Sequence, residues 1–291
     1  MRYIANIIVS VLLLGCAGPV KQSTKPVVSV SIAPQKYFVE RLMGDSIEVN
    51  VMIPPGSGHA TYAPTPGQLK SLSQSIAYFK MGHLGFEATW TDKFEAANQQ
   101  MLWFDLSQGI EVIQGEHHHH HHGEADHVCT GGIDPHTWTS PTEMKVVITN
   151  LRKALISLFP TNKELINSNY ESFMNDIQGL DEQLYQLKTA QPQLKFMIFH
   201  PAYSYLARAY GFEQMTIEFE GKTPTPARLK ETIEQARDNS IKTIYIQEEF
   251  DRKNADVIAS EIGAQTVQVN PLSENWLAEM NRFISHLKTN N

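Results

Sequence analysis

The chain reads as α/β: two similar lobes, each a parallel β-sheet flanked by helices, joined by one long rigid helix. Three observations carry that reading. Short β-rich runs alternate with helix-sized segments along the whole body, the pattern of parallel architecture. The heptapeptide Pro64-Thr65-Pro66-Gly67-Gln68-Leu69-Lys70 returns as Pro224-Thr225-Pro226-Ala227-Arg228-Leu229-Lys230, identical at five of seven positions. Between the two copies, Leu165, Tyr170, Phe173, Ile177, Leu180, Leu184 and Leu187 recur at helical spacing, so a single helix runs on to about Lys188.

Strands are expected at Val27 to Ile32, Ile47 to Ile53, Ile76 to Lys80 and Met101 to Asp105, and in the second half at Leu194 to Phe199, Met215 to Phe219, Thr243 to Gln247 and Thr266 to Val269. In each heptapeptide copy the threonine suits a helix cap and the following proline the first helical position. A second echo sets Ala33-Pro34 through Phe38, Arg41 and Gly44 against His200-Pro201 through Tyr205, Arg208 and Gly211, in the same order relative to the first. Ser140-Pro141-Thr142-Glu143 and Thr161-Asn162-Lys163-Glu164 both fit a reciprocal capping box. Pro192 stops the long helix. The expected organisation is a signal peptide over residues 1–16, a tether over 17–26, an N-terminal lobe over 27–160 carrying a histidine-rich loop at 115–130, a linker helix over 161–190 and a C-terminal lobe over 191–291.

The N-terminus reads Met1-Arg2-Tyr3, then an apolar run from Ile4 to Leu14, too short to span a bilayer, which takes about 20 apolar residues. It reads as an export signal. Leu13-Leu14-Gly15-Cys16 resembles a bacterial lipobox, so Cys16 is the expected lipidation site and the protein is expected to be exported and lipid-anchored, facing the periplasm or the cell exterior. With Cys16 acylated, Cys129 is left without a partner for an intramolecular disulfide, and stability must come from a core. From Val27 onward about 265 residues remain, enough for one large or two medium units. A formal charge of −7 argues against a nucleic-acid partner. A monomer is expected.

Six consecutive histidines, His117, His118, His119, His120, His121 and His122, lie between Glu116 and Glu124, with Asp126 and His127 close behind. Imidazole is mostly unprotonated near neutral pH and suits a borderline divalent ion such as Zn²⁺. An engineered tag would look the same, but tags sit at chain ends and this run is internal. A flexible tract concentrates metal without fixing a coordination geometry, so a defined site needs ligands converging from several elements. His136 lies in Asp134-Pro135-His136-Thr137-Trp138, His200 follows an apolar strand at its carboxyl end, where open α/β sheets place ligands, and His59 sits in the glycine-rich loop after the strand ending at Ile53. These three histidines are the candidate ligands, meeting in the cleft between lobes. His83, beside Gly82 and Gly85, reads as structural, and His286 as a surface residue of the terminal helix.

The chain resembles the metal-binding subunits of bacterial ABC importers for zinc and manganese. The resemblance runs from Val27 to the end and rests on Pro54-Pro55-Gly56 leading into Thr61 to Pro66, on Asp134 to Trp138, on His200-Pro201-Ala202-Tyr203 with Tyr205-Leu206-Ala207, and on Gly221 to Lys230. It implies two α/β lobes joined by a long helix, one ion at their interface, delivery to a membrane permease, and, in zinc-directed members, a loop rich in histidine and acidic residues at this place in the chain. The pattern departs at Gly58-His59-Ala60-Thr61-Tyr62, where alanine stands at the expected ligand position and His59 one place earlier. It departs again at Val269-Asn270-Pro271, where many relatives carry a ligating aspartate. Asn270, Glu248, water or a loop histidine therefore remain open as the fourth ligand.

Three imidazoles and no assured carboxylate favour Zn²⁺, with Mn²⁺ as runner-up, because manganese prefers more oxygen ligands. Two other functions fit less well. A zinc hydrolase also uses three histidines and an open position, but the sequence has no His-Glu-x-x-His helix. An adhesin-type surface lipoprotein is the other. The histidine tract itself reads as a capture loop, a sensor or ballast.

Overall fold

The computed structural model describes residues 25–58, 62–114, 132–218 and 225–289. Cys16, His59, Cys129 and the histidine-rich run from His117 to His127 lie outside the described residues.

The first half alternates strand and helix: β1 (Val27–Ile32), α1 (Ala33–Met43), β2 (Glu48–Ile53), α2 (Pro66–Ser73), β3 (Ser75–Lys80), α3 (Gly85–Ala97) and β4 (Leu102–Asp105). Two long helices come next, α4 (Pro141–Leu158) and α5 (Lys163–Ala190). The second half repeats the scheme with β5 (Lys195–Ile198), α6 (Ser204–Tyr210), β6 (Glu213–Thr216), α7 (Pro226–Asp238), β7 (Thr243–Gln247), α8 (Lys253–Ile262), β8 (Gln265–Val269) and α9 (Trp276–Thr289). The sheets have orders β2-β1-β3-β4 and β6-β5-β7-β8, and every pairing is parallel. The internal repeat is therefore topological as well as sequential. Within each sheet the chain steps from the second strand position to the edge and back past it, so equivalent loops emerge at equivalent strand ends.

Both heptapeptides do what their chemistry requires. Thr65 Oγ1 accepts from Gln68 N–H and Thr225 Oγ1 from Arg228 N–H, each at 3.3 Å, with proline in the first turn of α2 and α7. The two capping boxes expected nearer the middle do not form. Ser140 is the N-cap of α4 without a side-chain cap bond, and the reciprocal partner Glu143 pairs with Arg208 at 2.9 Å instead. Thr161 falls inside a 3-10 turn over Pro160–Asn162, which makes Asn162 the N-cap of α5 and takes the threonine out of register. Strand limits also shift. β6 begins at Glu213 rather than Met215, because as an edge strand it pairs only with β5, whose Lys195 to Ile198 match Glu213 to Thr216.

Helix α5 buries Ile166, Phe173, Ile177, Leu180, Leu184 and Leu187 on one stripe. Leu165, expected on that stripe, is instead 42% exposed, and its neighbour Ile166 takes the inward position. Phe173 meets Phe38 of α1 at 6.1 Å and Trp276 of α9 at 5.9 Å between ring centroids, while Phe38 and Trp276 meet edge-on at 5.4 Å. This aromatic knot joins elements from both halves through the long helix, and one apolar core runs through all of them. Among the described residues, no helix is long and apolar enough to cross a membrane.

A buried carboxyl holds the β3–α3 junction. Glu87 accepts from Met81 N–H at 2.7 Å, Gly82 N–H at 3.0 Å and the Ser31 hydroxyl, which also meets Tyr78 Oη at 3.0 Å. Gly82 has φ +88°, and a Cβ there would lie 2.2 Å from Ser107 Oγ, so the tight approach requires glycine. His83 comes next with φ 65° and an exposed side chain, consistent with a turn role. Burial pushes the Glu87 carboxyl up to about 7. A pKa raised in the folded state favours folding below the unfolded value near 4.5 and loses that contribution as pH rises through about 7. Glu87→Gln should therefore flatten the pH dependence of stability. The wild-type protein should lose on the order of 3 kcal/mol more than the variant between pH 4.5 and 7.5 in urea denaturation.

Candidate metal centre

His136 is positioned by its own segment. Asp134 Oδ1 accepts from the His136 backbone N–H at 2.9 Å and faces the ring Nδ1 at 2.7 Å, so one carboxylate oxygen fixes both backbone and side chain of the residue two places on. Beyond it Thr137 N–H donates to Pro135 O at 2.8 Å and a 3-10 turn runs over Thr137–Thr139. His136 is 4% exposed. Burial pulls its pKa below the usual histidine value, against the opposing pull of Asp134, which leaves a neutral imidazole near neutral pH. Burial alone would push the Asp134 carboxyl up, but the charge and hydrogen bonds of His136 outweigh it and hold the carboxyl low.

His200 sits just past the end of β5. Gln247 at the end of the adjacent strand β7 clamps its backbone from both sides, accepting from His200 N–H at 3.2 Å and donating to His200 O at 2.7 Å. Glu218, just past β6, places Oε2 2.8 Å from His200 Nδ1. The Phe250 ring stacks on the imidazole at 5.4 Å. Nearby, burial raises the pKa of Glu249.

Both histidines thus turn Nδ1 to a carboxylate. That pairing sets the tautomer with the proton on Nδ1 and the lone pair on Nε2, and raises the basicity of the nitrogen left to bind a metal. The two rings lie 5.1 Å apart between centroids, inclined at 70°. Two imidazoles on one tetrahedral zinc, with Zn–N of about 2.05 Å, place their centroids about 5.2 Å apart. The observed spacing is close to that value.

The segment bearing His136 is fastened to the second half. Thr139 Oγ1 donates to Ala202 O at 2.7 Å, Trp138 Nε1 to Pro271 O at 2.8 Å, and Trp276 Nε1 to Trp138 O at 2.7 Å. The candidates for the fourth position are bonded to one another: Asn270 Nδ2 donates to Glu248 Oε2 at 2.7 Å, and Asn270 N–H to Glu279 Oε1 at 2.8 Å. Among the described residues no group of three or more histidine, cysteine, aspartate or glutamate side chains forms a complete ion cage. What they bring together is the pair His136 and His200. His286, on α9, is half-buried rather than fully on the surface.

Sequence reasoning missed the roles of Asp134, Glu218 and Gln247. Asp134 carried a local signal, a carboxylate two residues before a histidine. Glu218 carried none, because only the parallel pairing of β5 with β6 brings residue 218 beside residue 200.

Comparison with known proteins gives the family. The family model described as ZnuA, zinc-uptake complex component A periplasmic, matches residues 28–291. The high-affinity zinc uptake system protein ZnuA of Bacillus subtilis (strain 168) is 29% identical over 260 residues, 87% of this chain and 81% of that protein. The zinc-binding lipoprotein AdcA of Streptococcus pneumoniae serotype 4 is 26% identical over 299 residues, 95% of this chain, which spans only 58% of that longer relative. A crystal structure of a ZnuA deletion mutant with zinc bound superposes with a TM-score of 0.82 at 34% identity, covering 92% of this chain and 98% of the other. With a family model matched along nearly its whole length, two parallel-sheet lobes in the same arrangement and paired imidazoles at their junction, the chain belongs to the ZnuA family of periplasmic zinc-uptake components.

Proposed function

We propose that this protein captures Zn²⁺ outside the cytoplasm in the cleft between its lobes and hands it to the membrane permease of an ABC importer. The observation that carries this is the pair of carboxylate-oriented imidazoles, His136 and His200, at the spacing of a shared ion. Nitrogen donors make a borderline site that suits zinc better than manganese, whose hard character calls for more oxygen. The zinc-uptake and zinc-binding relatives point the same way. His59 is the proposed third imidazole, with Asn270, Glu248 or water completing the shell, and the histidines of 117–122 with His127 form an accessory reservoir. The proposed anchor is lipid on Cys16, and the proposed working form is a monomer.

The reading is of a binding protein and not a hydrolase. Family membership supports a solute-binding role, and the sequence carries no His-Glu-x-x-His pair to supply a metal-activated base.

Isothermal titration of the exported form should show one tight Zn²⁺ site, stronger than for Mn²⁺, that disappears in His136→Ala and in His200→Ala. Tighter Mn²⁺ binding would overturn the choice of ion. A separate expectation concerns the carboxylate behind His200. Glu218→Gln keeps the shape but removes the charge, and should weaken zinc by about ten- to a hundredfold in a chelator-competition assay. An unchanged affinity would show that His200 needs no such support.

A further inference from the structure

We propose that Tyr205 is a positioning residue for the metal centre, acting on His136 through Asp134, an inference that rests on the metal-binding reading above. Tyr205 belongs to α6 in the second half, is wholly buried, and its described hydrogen bonds go to backbone groups and not to His136 or His200. Its hydroxyl donates to Asp134 O at 2.7 Å and accepts from Ile113 N–H at 3.2 Å. Those two backbone groups flank the same stretch of chain, and they are joined directly as well, with Asp134 N–H donating to Ile113 O at 2.9 Å and Gln114 bridging Ile133 in antiparallel fashion. One turn along α6, the Arg208 guanidinium lies 5.0 Å over the Tyr205 ring and donates to Glu111 O at 2.8 Å and Glu143 Oε1 at 2.9 Å. The helix thus grips both sides of this neck with two side chains.

Asp134 is held at its amide by Ile113, at its carbonyl by Tyr205, and through its carboxylate by His136. Its carboxylate can keep a fixed distance to the His136 Nδ1 only while its backbone is fixed. Without the hydroxyl, the Asp134 carbonyl and the Ile113 amide lose a shared partner in a partly buried place, and the backbone must relax to find others. A small rotation at Asp134 moves the carboxylate relative to the ring and turns Nε2 away from the ion. The Tyr205 hydroxyl thus supports the backbone behind the His136 ring, while the neighbouring Ser204 side chain bonds the Asp134 carboxylate itself.

The test is Tyr205→Phe in the full chain, beside Tyr210→Phe as a control. Tyr210 is also buried on α6, and its hydroxyl meets Asp181 Oδ1 at 2.5 Å, away from Asp134. Zinc affinity of the tightest class is measured by chelator competition, metal-free stability by thermal denaturation, and the His136 ring by its Nδ1–H proton resonance in nuclear magnetic resonance. The expected result is about a tenfold or larger loss of zinc affinity and a displaced His136 resonance in Tyr205→Phe, with both unchanged in Tyr210→Phe at comparable stability cost. Parental affinity in Tyr205→Phe, or an equal loss in Tyr210→Phe, would overturn the proposal. His136→Ala is run alongside: if it binds zinc as tightly as the parent, the site reading itself fails, and this proposal with it.

Discussion

Two imidazoles can stand side by side in a cleft with a fixed mutual geometry only if each is prevented from turning to another partner. Here that constraint comes from one device used twice, a carboxylate on Nδ1: Asp134 for His136 and Glu218 for His200. Burial lowers the pKa of His136 and the carboxylate keeps its ring in one orientation, so the basic nitrogen is presented without waiting for metal to arrange it. The ordering entropy of these two rings is met by folding, before any ligand arrives.

The two halves of this device reach the cleft by different routes. His200 and Glu218 stand past the ends of adjacent parallel strands, with Gln247 of a third strand clamping the His200 backbone, so the second sheet alone builds that half. His136 comes from no strand end. It rides on residues 132–140, which lead into α4 without forming a strand of either sheet. Hydrogen bonds from Thr139, Trp138, Trp276 and Tyr205 tie that segment to α6, to the β8–α9 loop and to α9. His136 thus precedes the long helix in sequence, yet elements on the far side of that helix hold it in place. The knot of Phe38, Phe173 and Trp276 extends the same logic into the core, since Trp276 serves both the aromatic packing and the backbone of Trp138.

Much of this was legible in the residues. Strand and helix alternation arises from local patterning, the repeat from identical heptapeptides whose threonines cap and whose prolines start helices, and the long helix from apolar spacing that one stripe of α5 then buries. These are short-range matters, decided within a few residues, so the chain itself determined the fold class and pointed to His136 and His200. Where a local rule met a stronger distant partner it failed. Glu143 left the expected cap for Arg208, and Leu165 yielded its inward place to Ile166.

Only the tertiary structure decided which groups stand behind the ligands. Glu218 lies beside His200 because β6 pairs in parallel with β5, and Tyr205 reaches Asp134 because α6 packs against the neck of a segment more than seventy residues earlier. A hydrogen bond across such a separation leaves no periodicity or spacing in the sequence, since it depends on register and on the angle at which elements pack. Residue chemistry was enough to name candidate ligands; their aim, their tautomer and their mutual spacing came from the packing of one half against the other.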